Sequence, residues 1–178
     1  MASLHLRLAQ HGDAPAIAAL MERAIAELQR DFLDPAQIAA SRSVMGLDTQ
    51  LIDDGSYVLV LDGETLAGCG GWSNRATLYG GNHSKALRDP HRLDPGKDPA
   101  RIRAMFTSPD YVRRGIGRMV LDWCESAARD AGFDRAELMA TLAGQPLYTA
   151  CGYQPIERVE APPVNGAAVP LIRMGKPL

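Results

Sequence analysis

A surplus of positive charge is the first thing this 178-residue sequence lacks, since nineteen Lys and Arg stand against twenty-one Asp and Glu, a formal net charge of −2. A basic footprint for general nucleic-acid binding is thereby excluded. No uninterrupted apolar stretch approaches the ~18 residues that a membrane-spanning helix needs. The opening MASLHLRLAQ has neither a continuous apolar core nor a cleavage-like region, so no signal peptide and no membrane association are expected. The three cysteines, Cys69, Cys124 and Cys151, are scattered and include no CxxC pair. Neither a disulfide framework nor a thiolate metal site follows from them, and a reduced, cytoplasmic protein is expected. Internal repeats and low-complexity tracts are also missing.

What is present is ordinary for a globular chain, with 46% apolar and 22% charged residues. One domain over residues 1–178 is expected, large enough to bury roughly 70% of the surface of its unfolded chain. Leu4, Leu6 and Leu8 alternate with polar residues as in a half-buried strand. Asp13 is a candidate N-cap for a helix whose apolar stripe is Ile17, Leu20, Met21, Ala24, Ile25 and Leu28. Asp34-Pro35 opens a second helix, expected to end near Gly46. Residues 57–61 and 65–72 read as strands joined by a turn at Asp62-Gly63.

Residues 74–99 break the pattern with Gly80-Gly81-Asn82, three prolines, His83 and His91, and read as a mobile surface insertion within the domain. Asp89 and Asp94 beside those histidines match no zinc or calcium spacing, so no metal is expected. Trp72, Tyr79 and this loop are candidates for the wall of a substrate site. Alternation resumes over residues 101–107, and an amphipathic helix with Val120, Leu121, Cys124, Ala127, Ala128 and Ala131 stops at Gly132. Residues 134–140 read as a strand and Gln145-Pro146 opens a short helix. Two strands, 156–159 and 169–174, flank the turn sequence 162–166.

The segment Tyr111-Val112-Arg113-Arg114-Gly115-Ile116-Gly117-Arg118 carries the chemistry. It lies between a strand and a helix. Glycines let the backbone turn sharply there, and the first turn of the helix offers unpaired N–H groups with partial positive charge. Phosphate is the natural guest of such a site, with Arg113, Arg114 and Arg118 adding charge. A Walker A loop is excluded because no Gly-Lys-Ser/Thr follows. A dinucleotide fingerprint is weakened because Val120 stands where a third Gly or Ala belongs, although Glu137 lies at about the distance of a ribose ligand.

Residues 108–117 resemble the acyl-CoA loop of the GCN5-related N-acetyltransferase (GNAT) family, Arg/Gln-x-x-Gly-x-Gly/Ala, with Val112 in place of the Arg or Gln. Downstream, Leu147-Tyr148-Thr149-Ala150-Cys151-Gly152-Tyr153 is similar to the family's Phe-Tyr-x-x-x-Gly-Phe segment. The order of elements before these motifs agrees as well.

The resemblance implies a mixed α/β (α+β) fold. Its central sheet would have six to seven mostly antiparallel strands flanked by helices, and would part near residues 101–140 to admit acetyl-CoA as co-substrate. It implies that Met105, Phe106 and Thr107 offer backbone groups to the pantetheine arm. Val112, Arg113, Arg114, Gly115, Ile116, Gly117 and Arg118 would hold the pyrophosphate, and Tyr148 would serve as the acid for the leaving thiolate. The activity implied is acetyl transfer to a primary amine, on a small molecule or a peptide, by direct attack. Similar proteins also suggest a homodimer through C-terminal edge strands. Relatives often place an Asn near the start of the last helix, where this chain has Leu142-Ala143-Gly144, and a Glu on the strand before the loop, where it has none. No general base is named: Glu22, Glu27 and Glu137 qualify by residue type alone. Cys151 qualifies as an acetyl carrier only by its nearness to Tyr148. A non-catalytic acyl-CoA-binding module and a nicotinamide-dinucleotide oxidoreductase are the other readings.

Overall fold

The computed structural model describes residues 3–178. Seven strands form one sheet: β1 (Leu4–Leu8), β2 (Tyr57–Asp62), β3 (Thr65–Ser73), β4 (Ala100–Thr107), β5 (Arg135–Thr141), β6 (Gln154–Glu160) and β7 (Pro170–Pro177). Five helices accompany them: α1 (Ala14–Leu28), α2 (Pro35–Ser41), α3 (Gln50–Asp53), α4 (Ile116–Asp130) and α5 (Gln145–Ala150). The strand order is β1-β2-β3-β4-β5-β7-β6, so the last strand inserts between β5 and β6. Every neighbouring pair is antiparallel except β4–β5.

That exception shapes the molecule. The parallel pair registers only at Ala100↔Ala136 and Arg101↔Glu137, after which the two strands diverge. On one face, α4 buries Ile116, Val120, Leu121 and Cys124 with Val58, Val60, Ile102 and Leu138. On the other, α1 lays Ile17, Leu20, Met21 and Ala24 against Leu59, Cys69 and Phe106. Both stripes follow the helical period of the sequence. At ~25 cal/mol per Å² of apolar surface removed from water, these two contacts are what hold the helices to the sheet.

Several expectations need adjustment. Asp13 does not cap α1 with its side chain. It takes the Gln10 N–H at 2.7 Å and a bidentate Arg7 guanidinium at 2.7 and 2.8 Å, closing the short turn His11–Asp13 instead. Helix α2 has the expected cap, with Asp34 Oδ1 accepting from Gln37 N at 2.8 Å, but it ends at Ser41. Its remaining residues turn toward the 74–99 segment, and α3 follows where no helix was expected. The β2–β3 turn falls on Gly63-Glu64, one residue later than Asp62-Gly63, because Asp62 still pairs with Thr65 and Gly63 takes the positive φ of 60°. Along α4 the buried stripe includes Glu125, whereas Ala131 is exposed.

Segment 74–99 is tied down rather than free. Arg75 forms a bidentate pair with Asp54 at 2.7 and 2.9 Å and donates to Pro90 O at 3.0 Å. Asn82 Oδ1 accepts from the Thr49 backbone at 3.0 Å, Ser84 Oγ donates to Ser43 O at 2.7 Å, and His83 meets Arg42 O at 2.6 Å. Among the described residues, no His, Cys, Asp or Glu cluster of metal-binding size occurs, and no helix is long and apolar enough to cross a membrane.

Candidate active site

The divergence of β4 and β5 opens a cleft of about 660 Å³. Beyond Arg101 no ladder bond joins the two strands, so main-chain N–H and C=O groups on that side of β4 have no partner in β5. The cleft floor is Met105, Phe106 and Thr107, and its far end is the start of α4. Ala104 sits at φ 50°, in the left-handed region that a non-glycine residue enters only at a cost of about 1–2 kcal/mol. The register of β3 against β4 shifts beside it, between Cys69 and Gly71. Tyr57 Oη, wholly buried, donates to Ala104 O at 2.7 Å and holds this bulge in place. A bulge re-aims the residues that follow it, here those lining the cleft.

In the loop before α4, Arg113 takes φ 63° and Gly115 φ 81°, and the helix begins at Ile116. Left-handed residues adjoining right-handed ones can turn successive N–H groups toward one point, a geometry that suits an anion. The two glycines do different jobs. A Cβ on Gly115 would meet nothing within 4 Å, so that glycine serves the backbone conformation and leaves the approach open. A Cβ on Gly117 would lie 2.5 Å from Leu147 Cδ2, so this glycine lets α5 pack against the first turn of α4. The loop is braced from outside by Arg23, which grips Asp110 at 2.8 and 3.3 Å, and by Tyr111, whose hydroxyl donates to Asp62 at 3.2 Å.

Of the residues singled out in the sequence, Met105, Phe106, Thr107, Val112, Arg113, Gly115, Ile116, Gly117, Arg118 and Tyr148 all line this cleft. Arg114 does not. Its guanidinium stacks 4.7 Å over the Tyr111 ring and lies 3.8 Å from Asp62. The end of α1 (Leu28, Gln29), Phe32 just beyond it, and Met45 supply a wall that nothing in the sequence pattern pointed to.

A second, smaller cavity of about 120 Å³ lies over β4 and β5, bounded by Val44, Met45, Leu78, Tyr79 and Gly80. Tyr79 is thus a wall residue, whereas Trp72 packs edge-on to Phe133 with ring centroids 6.1 Å apart and belongs to the hydrophobic core. The two cavities meet at Met45, Met105, Phe106, Thr141, Gly144 and Tyr148, which line both.

Tyr148 therefore stands at the junction. The motif around it explains its placement: Gly152, at φ 94°, ends α5 and returns the chain so that Tyr153 packs edge-on to Tyr148 at 6.1 Å. Tyr153 Oη donates to the buried Glu125 at 3.0 Å, and Lys176 Nζ donates to both Glu125 oxygens at 3.0 Å. A Cβ on Gly144 would come within 3.0 Å of the Tyr148 ring, so the glycine leaves the ring its room. Among the described residues the Tyr148 hydroxyl has no hydrogen-bond partner, and it is not sealed from the cavities. Burial raises its pKa well above the ordinary value near 10, with smaller contributions from Cys124 and Cys151.

Among the described residues, neither cavity has an Asp, Glu or His in its wall. The carboxylates considered as bases are engaged elsewhere: Glu22 with Arg42, Glu27 with Arg23, and Glu137 with both Arg101 and Arg173. That engagement also leaves Glu137 poorly placed to bind a ribose. Cys151 lines neither cavity, and burial raises its thiol pKa.

The profile of the acetyltransferase (GNAT) family matches residues 20–153, three quarters of the chain. The chain belongs to the GNAT acetyltransferase family. Solved structures of similar fold include a GCN5-related N-acetyltransferase from Rhodopseudomonas palustris, at 19% identity and a TM-score of 0.71, covering 100% of this chain and 98% of that one. A ribosomal-protein-alanine N-acetyltransferase from Brucella melitensis gives 16% identity and a TM-score of 0.64, covering 98% and 99%. The PaiA N-acetyltransferase of Thermoplasma acidophilum, solved with coenzyme A, gives 12% and 0.63, covering 99% of each chain. No match to a curated protein is found. At these identities the structures speak for the fold, a seven-stranded, mostly antiparallel sheet flanked by helices, and the family profile speaks for acetyltransferase activity.

Proposed function

We propose that this GNAT protein binds acetyl-CoA in the cleft between β4 and β5 and passes the acetyl group directly to a primary amine entering from the smaller cavity. The observation that carries the reading is Tyr148, whose hydroxyl has no partner among the described residues and stands open at the place where the two cavities join. The pyrophosphate would sit on the loop of Val112, Arg113, Gly115, Ile116, Gly117 and Arg118, held mainly by backbone N–H groups at the start of α4. This suits an exposed Val112 in place of a polar side chain. Pantetheine would run along Met105, Phe106 and Thr107, taking the strand's unpaired amides and carbonyls.

The amine nitrogen attacks the thioester carbonyl carbon, forming the C–N bond and an oxyanion that backbone N–H groups of β4 stabilise. Collapse breaks the C–S bond and leaves a thiolate beside Tyr148. With its pKa raised by burial, the phenol stays neutral across the working range and serves as hydrogen-bond donor to the sulfur. The proton that ends on sulfur balances the one the amine gives up. With no carboxylate or imidazole in either wall, that proton leaves through water or departs before the amine binds.

The test is thiol release from acetyl-CoA across an amine panel. Release that needs an amine supports transfer. Tight coenzyme A binding without release from any amine would make the protein a binding module, and NADH binding in preference to coenzyme A would make it an oxidoreductase.

A further inference from the structure

Resting on that reading, we infer that the acceptor amine carries a carboxylate, and that Arg103 is the residue that recognises it. Arg103 lies on β4 with its side chain almost wholly buried, and it lines the smaller cavity, which the acceptor would enter. An arginine there needs a reason, because burying a guanidinium is costly unless it is paired and hydrogen-bonded. Its pairing is incomplete. Nη2 donates to Asp48 Oδ2 at 3.1 Å and to Gly80 O at 2.9 Å, while Nε and Nη1 have no partner among the described residues. Each of those two nitrogens keeps some exposed surface, and Arg103 is among the residues that line the cavity.

The charge balance agrees. Asp48 is shared with Arg88, whose Nη2 lies 2.8 Å from Oδ1, so one carboxylate serves two guanidinium groups and one positive charge is left over. Among the described residues, no other charged side chain lines this cavity, whose wall is largely apolar: Val44, Leu78, Ile102, Met139 and Leu171. A carboxylate would complete the set with the planar, forked geometry that arginine favours.

Size narrows the class further. A dry cavity of about 150 Å³ takes a benzene ring, so one of about 120 Å³ takes the few heavy atoms of a short acid. Arg103 and Met105, the latter at the junction of the cavities, lie two residues apart on β4, on either side of the Ala104 bulge. The acceptor is accordingly a small amino acid, its amine toward Tyr148 and its carboxylate on Arg103.

The experiment compares glycine, β-alanine, aspartate and glutamate with their amides and decarboxylated amines, in acetyl-CoA-dependent thiol release. Wild type should use at least one acid ~10- to 100-fold better than its uncharged counterparts, because a site built around a hydrogen-bonding charge rejects analogues that lack it. Arg103→Met should raise KM for that acid by a similar factor while leaving coenzyme A binding by calorimetry, and the weak turnover of the amides, in place. Arg103→Lys should restore part of the preference, which a merely structural role would not predict. Equal use of acids and amides by wild type would overturn the inference, and so would a loss in Arg103→Met that strikes both alike. A preference for a carboxylate-bearing acyl-CoA over acetyl-CoA, lost in Arg103→Met, would also overturn it by moving the anion to the donor. Failure of every amine, with coenzyme A still bound, would instead refute the transfer reading.

Discussion

Replacing Tyr148 with Phe removes one oxygen from the junction of the two cavities, and the structure fixes what each readout should do. In the free protein that oxygen makes no hydrogen bond to another described residue, so deleting it leaves no side-chain or main-chain partner orphaned. The melting temperature should stay within about 2 °C of wild type, because the usual penalty of losing a hydrogen bond, ~0.5–1.5 kcal/mol, does not apply. The ring's edge-on contact with Tyr153 survives the change.

Catalysis should respond differently. A hydrogen bond to a charged group is worth roughly 1.5–3 kcal/mol, and at 1.36 kcal/mol per tenfold the thiolate's loss of its donor predicts a roughly 10- to 100-fold fall in kcat. The effect on KM for acetyl-CoA should be small, since the bond forms only as the sulfur departs. The assay is steady-state thiol release beside thermal melting of both proteins. A variant that keeps half its activity would refute the role given to Tyr148. One that melts 10 °C lower would show that the hydroxyl has a structural partner in the native protein.

Three further outcomes follow from the same geometry. With no carboxylate or imidazole in either cavity wall, and with burial holding the Tyr148 proton to higher pH, kcat/KM should rise with pH and follow the acceptor amine's own pKa. A fixed limb near pH 6 to 7, the same for every amine, would reveal an enzyme base. Lys176→Met leaves the buried Glu125 only the Tyr153 hydroxyl and Arg129 at 3.8 Å, and should cost about 1.5–3 kcal/mol, seen as a melting temperature lower by about 3–12 °C. Adding Glu125→Met should recover much of that loss. In the native protein a thiol reagent should modify Cys151 first, since Cys69 and Cys124 are buried and burial lifts the Cys69 thiol to about 12 and Cys124 higher still. Equal labelling of all three would mean that the sheet opens readily.

Local chemistry was what the sequence could show. The turn into α4 was legible because a glycine pattern between a strand and a helix is complete within ten residues. The same holds for Tyr148, fixed by Gly152 and Tyr153 a few residues on. The placement of β7 between β5 and β6 was not legible, since it depends on pairing over long separations in the chain. The wall formed by Leu28, Gln29 and Phe32 escaped notice because the end of an amphipathic helix looks the same whether it meets solvent or a cleft. Arg103 was hidden by the period-2 pattern of β4, which assigns it to a polar face. That face is covered by segment 74–99, whose anchors lie tens of residues away at Ser43, Thr49 and Asp54. Glu125 was missed for a related reason: its partners, Tyr153 and Lys176, reach α4 from the far end of the chain.

Direct transfer is tested most plainly by one single-turnover mixing experiment. Protein loaded with acetyl-CoA is combined with an accepted amine, quenched over time, and followed for free thiol and for the intact mass of the chain. Thiol should appear only when amine is present, at the rate the acetylated amine forms, and the chain should gain no mass. A burst of thiol without amine, with an acetyl group found on Cys151, would contradict direct attack at the junction of the two cavities.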